Sequence, residues 1–254
     1  GAAKWHYMFG GKDNVSITIR LIVGRGWGQG PTHSQSLQSL FAHIPGLKVV
    51  MPSSAYDAKG LLISSIFDKN PVIFIEHRWL HSLEGKVPSK KYLIPIGKPK
   101  KILNGSHITI VSMSYMTIEA INAAKFLKKY NIHCEIIDLR TVSPIDYNII
   151  FNSIKKTKKL LVLDTSNKSY SISSEIVAKC CENVFKHLLS PPKIIGLPNI
   201  PIPTSFGMTK DLYPESKDII NEILNIMNIK QTIPYEKNLS HKHDIPHKKF
   251  KGPF

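Results

Sequence analysis

Between Gly24 and Gln35 the chain reads Gly-Arg-Gly-Trp-Gly-Gln-Gly-Pro-Thr-His-Ser-Gln, with four glycines at alternate positions. Ser16–Val23 before it alternates and then turns apolar, as a strand entering a core does; the residues from Leu37 to Phe41 after it have helical spacing. A glycine-rich loop that leaves a strand and ends at a helix start confines the chain to α/β architectures. The glycines open backbone conformations closed to other residues and permit close approach of a ligand or another chain. At the end of the loop sits His33, between Thr32 and Ser34, which are suited to capping the next helix. An imidazole beside free helix N–H groups is a candidate acid, base or anion contact. The same stretch also reads as a tight loop with a capping histidine. It is not a dinucleotide fingerprint, because Gln29 and Pro31 stand where the third glycine is required, and no lysine follows as in a phosphate-binding Walker loop.

Taken in order, the chain alternates strand and helix up to Glu76. The pattern predicts a helix over 34–41, a strand over 47–51, a helix opened by Ser53 or Ser54 with Ala58, Leu61, Leu62 and Ile66 on its apolar face, and a strand over 72–75. This predicts a mostly parallel sheet with helices on both faces. Residues 81–106, rich in lysine, glycine and proline, read as a connector. A second, smaller α/β unit follows, with strands at 108–112, 134–139, 160–164 and 193–196, helices at 117–130, from Pro144 to Lys156 and at 173–187, and a last helix from Pro214, at its first position, to Ile229. The expected organisation is 1–80, a linker at 81–106, a second unit at 107–230 and a basic tail at 231–254. In the tail His241, His243 and His247 lie among lysines, which reads as a solvated segment or, less simply, a metal-binding one.

Composition narrows the function classes. No apolar run approaches the ~20 residues a membrane helix needs. The net charge of +16 raises the question of nucleic acid, but the lysines are spread along the chain with no interleaved aromatic platform, so no nucleic-acid partner is expected. Cys134, Cys180 and Cys181 form no paired framework and no metal-ligand spacing, which implies a reducing compartment. Any targeting segment would lie upstream of Gly1, so cytoplasm and organelle matrix are not separated.

Many segments, in one order, carry a resemblance: the run from Gly24 through Gln35, Phe41–Pro52, Tyr56–Gly60, Asn70–Glu76, Tyr92–Lys98, Ile108–Ser112, Ile137–Thr141 and Pro203–Ser205. Over residues 1–229 the chain resembles the beta subunit of a thiamine-diphosphate-dependent 2-oxo acid dehydrogenase, the decarboxylating component of the pyruvate, branched-chain or acetoin type. The resemblance implies a transketolase-like pyrimidine-binding domain, present in part, followed by a transketolase C-terminal domain. It implies decarboxylation of a 2-oxo acid, pyruvate being favoured, and transfer of the acyl group to lipoamide. It implies an alpha subunit in an α2β2 assembly that shares thiamine diphosphate and holds magnesium, and a lipoyl-bearing acyltransferase. A non-catalytic assembly module of the same fold, or another transketolase-type enzyme, remains the alternative.

Residue by residue, His33 matches the histidine placed near the thiazolium, either contacting the substrate carboxylate or delivering a proton. The matching segment for a structural potassium ion comprises Ile17, Ser65, Ile66, Asp68 and Asn70; read without the resemblance, it is an ordinary helix stop. The glutamate expected on the aminopyrimidine belongs upstream of Gly1, so the resemblance implies that this chain alone binds no thiamine diphosphate. Where relatives have a glycine-rich turn before the helix at 173, this chain has Asn167–Ser174, which puts contacts by close backbone approach there in doubt.

Overall fold

A computed structural model describes residues 1–25, 28–230, 233–235 and 245. After helix α1 (Ala2–Met8) come strand β1 (Thr18–Val23), a single helical turn α2 (Gly30–His33), α3 (Gln38–Ala42), β2 (Lys48–Val50), α4 (Ala55–Ile66) and β3 (Val72–His77). The second unit holds β4 (Lys100–Leu103), β5 (Ile108–Ser112), α5 (Tyr115–Lys128), β6 (Cys134–Asp138), β7 (Thr141–Ser143), α6 (Asn148–Thr157), β8 (Leu160–Asn167), α7 (Ile172–Val184), β9 (Lys193–Leu197) and α8 (Ser216–Ile226).

Two sheets result, in the orders β1-β3-β2-β7 and β4-β6-β5-β8-β9. Within each, the strands joined by helices run parallel; β7 and β4 add antiparallel edges to β2 and β6. Every residue of β5 and β6 is buried, as expected of parallel strands covered on both faces. On α5 the inward face holds Ala120, Ala124 and Leu127, and on α8 Ile219, Ile220 and Ile223, all as the helical period requires.

Several local expectations are corrected. The helix expected over 34–41 begins only at Gln38, and a separate helical turn, α2, precedes it at Gly30–His33. The connector contains β4, whose apolar content is too slight to stand out among lysines. Ile66 is 58% exposed at the end of α4, where the last turn runs past the sheet. Pro214 precedes α8 rather than opening it: Glu215 is the N-cap, and its N–H donates to Asp218 Oδ2 at 2.8 Å in a capping box, which satisfies a donor the proline could not supply. Tyr170, 94% exposed, adopts a left-handed φ of 55° in the turn before α7. The tail histidines lie outside the described residues, but Ile233 is buried against the core of the second unit and Tyr235 packs edge-on against Phe126 at 4.9 Å, so the start of the tail is packed rather than solvated.

The two units are fused more closely than a linker suggests. Residues 141–143 leave the second unit to extend the first sheet, and one buried cluster combines Val49, Met51, Ile73 and Ile75 with Val111, Met113, Ile137 and Val162. The C-terminal ends of β1, β2 and β3 therefore open toward the second unit, and the glycine loop lies in that seam.

Candidate active site

The loop begins where β1 ends. Gly24 has φ +104°, and a Cβ there would stand 2.4 Å from His77 Nε2, so only glycine permits this backbone to lie on the imidazole. At Gly30, φ +66°, a Cβ would meet Thr204 Oγ1 at 2.4 Å. The neighbour that the glycines admit is thus this chain itself, a buried ring on one side and the Pro203–Ser205 segment on the other.

His33 closes the turn α2 and its side chain is exposed. The expectation that it sits beside free helix N–H groups is overturned, since it stands at the C-terminal end of its turn, and its own carbonyl accepts from Arg78 Nη2 at 3.2 Å. The capping expectation also fails. Leu37 is the N-cap of α3 and makes no side-chain cap bond, because the four residues from Ser34 to Leu37 intervene. Ser34 Oγ is buried without a hydrogen-bond partner. With Arg25 Nε, also unpartnered, it belongs to residues lining a cavity of about 20 Å³, room for one water. On the outer side, a groove of about 500 Å³ runs between Pro31, Thr32 and Gln35 and the loop carrying Asn199 and Ile200.

The residues that hold the loop were not among the sequence candidates. Arg25 is 5% exposed, donates from Nη2 to Glu215 Oε1 at 3.1 Å, and lies between the rings of Trp79 (3.7 Å) and Tyr213 (4.5 Å). His77 stacks on Tyr115 at 5.1 Å, and its Nδ1 accepts from the Trp79 N–H at 3.2 Å. Burial, reinforced by Arg25, Arg78 and His81, lowers the His77 pKa to about 3, so the ring is neutral and its proton resides on Nε2. Tyr115 donates to Glu119 Oε1 at 2.7 Å, while Glu119 Oε2 accepts from the Ser216 N–H at 2.8 Å. At the far end of the loop Gln38, fully buried, donates to Asp164 Oδ1 at 2.7 Å and Thr165 Oγ1 at 3.1 Å. Asp164 also accepts from the backbone N–H groups of Ser166 and Ser173. The only local signal for any of these was a polar residue beside an apolar run, as with Asp164 after Leu160–Leu163 in β8.

The second candidate group lies at the opposite end of the first sheet. Ser65 is buried in the last turn of α4, with its carbonyl accepting from the Asp68 N–H at 3.2 Å, and the Ile17 carbonyl accepts from the Val72 N–H at 2.9 Å. The Asp68 carboxylate pairs with Lys48 Nζ at 2.6 Å and accepts from the Asn70 N–H at 2.9 Å. The side-chain carboxylate is therefore engaged, and the oxygens with spare lone pairs are backbone carbonyls, among them that of the exposed Ile66.

Comparison with known proteins places this geometry. The family model for the transketolase pyrimidine-binding domain matches residues 1–82 and that for the transketolase C-terminal domain residues 97–219. The chain is 38% identical over 229 residues to the pyruvate dehydrogenase E1 component subunit beta of Rickettsia bellii, covering 90% of this chain and 70% of that one. It belongs to the family of 2-oxo acid dehydrogenase beta subunits. Within this family it is also 43% identical over 212 residues to the beta subunit of acetoin:2,6-dichlorophenolindophenol oxidoreductase from Cupriavidus necator, covering 84% of this chain and 62% of that protein. The mitochondrial pyruvate dehydrogenase E1 beta subunit of Bos taurus is 37% identical over 233 residues, with 90% and 65% covered. The chain thus spans roughly two thirds of these relatives. A solved structure titled split gene transketolase, inactive beta4 tetramer, shares the fold at a TM-score of 0.69 and 18% identity, over 86% of this chain and 68% of that chain. Among the described residues no helix is long and apolar enough to cross a membrane.

Proposed function

We propose that this chain is the beta subunit of the decarboxylating component of a 2-oxo acid dehydrogenase complex, with pyruvate as the favoured substrate. In this reading it works with an alpha partner as α2β2 and hands the acyl group to lipoamide on an acyltransferase. The observation that carries the reading is an exposed imidazole, His33, at the end of a loop whose anchors are buried. Leu37, Leu40 and Ile200, 43%, 61% and 47% exposed, leave apolar surface beside it for a second polypeptide to cover.

The donor set fits a site shared across a subunit boundary: one exposed imidazole at a sheet's C-terminal edge, with no side-chain partner among the described residues competing for it. The reading assigns magnesium and the diphosphate to the alpha partner. Thiamine diphosphate, when bound, supplies the nucleophilic carbon and the electron sink for decarboxylation. His33 contributes a contact to the substrate carboxylate when cationic, or a proton from its ring during acyl transfer. Neutral His77, sealed beneath Gly24, supports the loop and takes no part in proton transfer. The test is turnover by the full-length subunit assembled with its alpha partner, read as decarboxylation of pyruvate and branched-chain 2-oxo acids and as carbon–carbon cleavage of acetoin. Turnover highest with pyruvate is expected; turnover of none of them would return the chain to a non-catalytic assembly role.

The same reading assigns a potassium ion to the carbonyls of Ile17, Ser65 and Ile66, with Asp68 and Asn70 completing the turn. The negative end of α4 favours a cation there, and oxygen donors suit a hard ion. Thermal unfolding in potassium chloride is expected to occur several degrees above that in lithium chloride at equal ionic strength. A site filled at a hundredfold excess over its dissociation constant adds ~2.7 kcal/mol. Identical midpoints in the two salts would remove the assignment.

A further inference from the structure

We propose that Arg25 is a positioning residue for His33, through which the C-terminal unit sets where the imidazole stands; this rests on the assignment of His33 above. Within the described part of the loop the internal supports are one helical turn and the bond that Gln35 Nε2 donates to the Pro31 carbonyl at 2.7 Å. Its front end is held by the Arg25 guanidinium, sandwiched between Trp79 and Tyr213 and paired with Glu215 at 3.1 Å. Trp79 belongs to the first unit, Tyr213 and Glu215 to the second, so a single side chain joins the loop to both. The Arg25 side chain is 6% exposed and that of Glu215 26%, so the pair is largely out of water.

A buried ion pair of this kind adds little net stability over a well-packed apolar side chain of similar size, because desolvation offsets the attraction. It does fix direction: a planar guanidinium held over two rings and hydrogen-bonded through Nη2 to a carboxylate tolerates few orientations. Loss of that direction eight residues before His33 lets the turn α2 shift, and a displacement of ~1 Å at a reacting group costs on the order of 10²-fold in rate. Glu215 is the N-cap of α8, so the partner of Arg25 is itself fixed by a helix end.

The experiment uses the full-length subunit assembled with its alpha partner and carrying Arg25→Met or, to keep the charge without the planar fork, Arg25→Lys; Glu215→Gln is a second variant should the first not fold. We expect Arg25→Met to lower kcat by ~10- to 100-fold with KM for the 2-oxo acid little changed, and to speed amide exchange in residues 28–38 more than in the strands of the second sheet, with the unfolding midpoint lowered because Glu215 is left without its partner. Arg25→Lys should recover part of both. In a His33→Ala background the Arg25→Met change should cost less than about threefold, since a residue that acts through another has nothing left to position. Independent, multiplying losses, or unaltered exchange in residues 28–38, would overturn the proposal alone. Full turnover by His33→Ala would instead overturn the site assignment and, with it, the positioning role, whatever the exchange shows.

Discussion

Turnover by the assembled full-length enzyme is expected to fall by ~10²- to 10⁴-fold when His33 becomes alanine, the range that a positioned acid, base or charge contact contributes. Stability should scarcely change. The ring is exposed and has no hydrogen bond among the described residues, and the contact that anchors this residue runs through its backbone carbonyl to Arg78. Surface substitutions away from such anchors usually stay within ~0.5 kcal/mol. His33→Gln separates the two roles left open above: a neutral amide retains part of a carboxylate contact but none of a proton-transfer function. Substantial recovery with glutamine favours the contact, and none favours proton delivery. Wild-type turnover in the alanine variant would detach the histidine from the chemistry altogether.

A second large effect is expected away from the site, at the seam between the sheets. Asp138 closes β6, is wholly buried, and accepts from the Ser53 hydroxyl and from the Arg140 N–H at 3.2 Å. The Arg140 guanidinium in turn pairs with the buried carboxylate of Asp57 at 3.2 Å, while its backbone N–H serves Asp138. Burial raises the Asp138 pKa from its ordinary 3.8 to about 7; the two hydrogen bonds and Arg140 oppose the rise, and Asp57 reinforces it. The folded-state value lies above the unfolded one. Stability associated with this group is therefore fully present below pH 3.8 and is lost as the pH rises to about 7, because the unfolded chain releases the proton first. Asp138→Asn removes this titration while keeping an oxygen to accept from Arg140. At ~1.4 kcal/mol per pKa unit, the stability of the variant relative to the parent should increase by roughly 3 kcal/mol between pH 5 and pH 8. Denaturant unfolding at the two pH values measures it. A difference between variant and parent that does not change with pH would show that Asp138 is ionised throughout.

Local patterns carried most of the architecture. The apolar runs that became β3, β5 and the first half of β8 are nearly continuous because parallel strands are covered on both faces, and the helices between them show their period plainly. The two edge strands escaped detection for the opposite reason. At β7 three residues lie beside a proline, and at β4 four residues of mixed polarity pair on one side only, so neither has a pattern longer than chance. Ser54 was legible as a cap because its partner is Asp57, three residues on; it accepts from the Asp57 N–H at 3.1 Å. Ser34 was misread as a cap because whether a serine reaches a helix end depends on where that helix starts, and the start of α3 is set by packing of Gln38 against Asp164.

By itself the sequence determined the α/β class, the order of the main elements and the family. These depend on residue type, on short spacings and on motif order, all of which are written locally. Only the tertiary structure decided what the loop rests on: His77 under Gly24, Thr204 against Gly30, and Arg25 joined to Glu215 across 190 positions. Contacts between residues so far apart depend on how two sheets pack, and no periodicity along the chain encodes them.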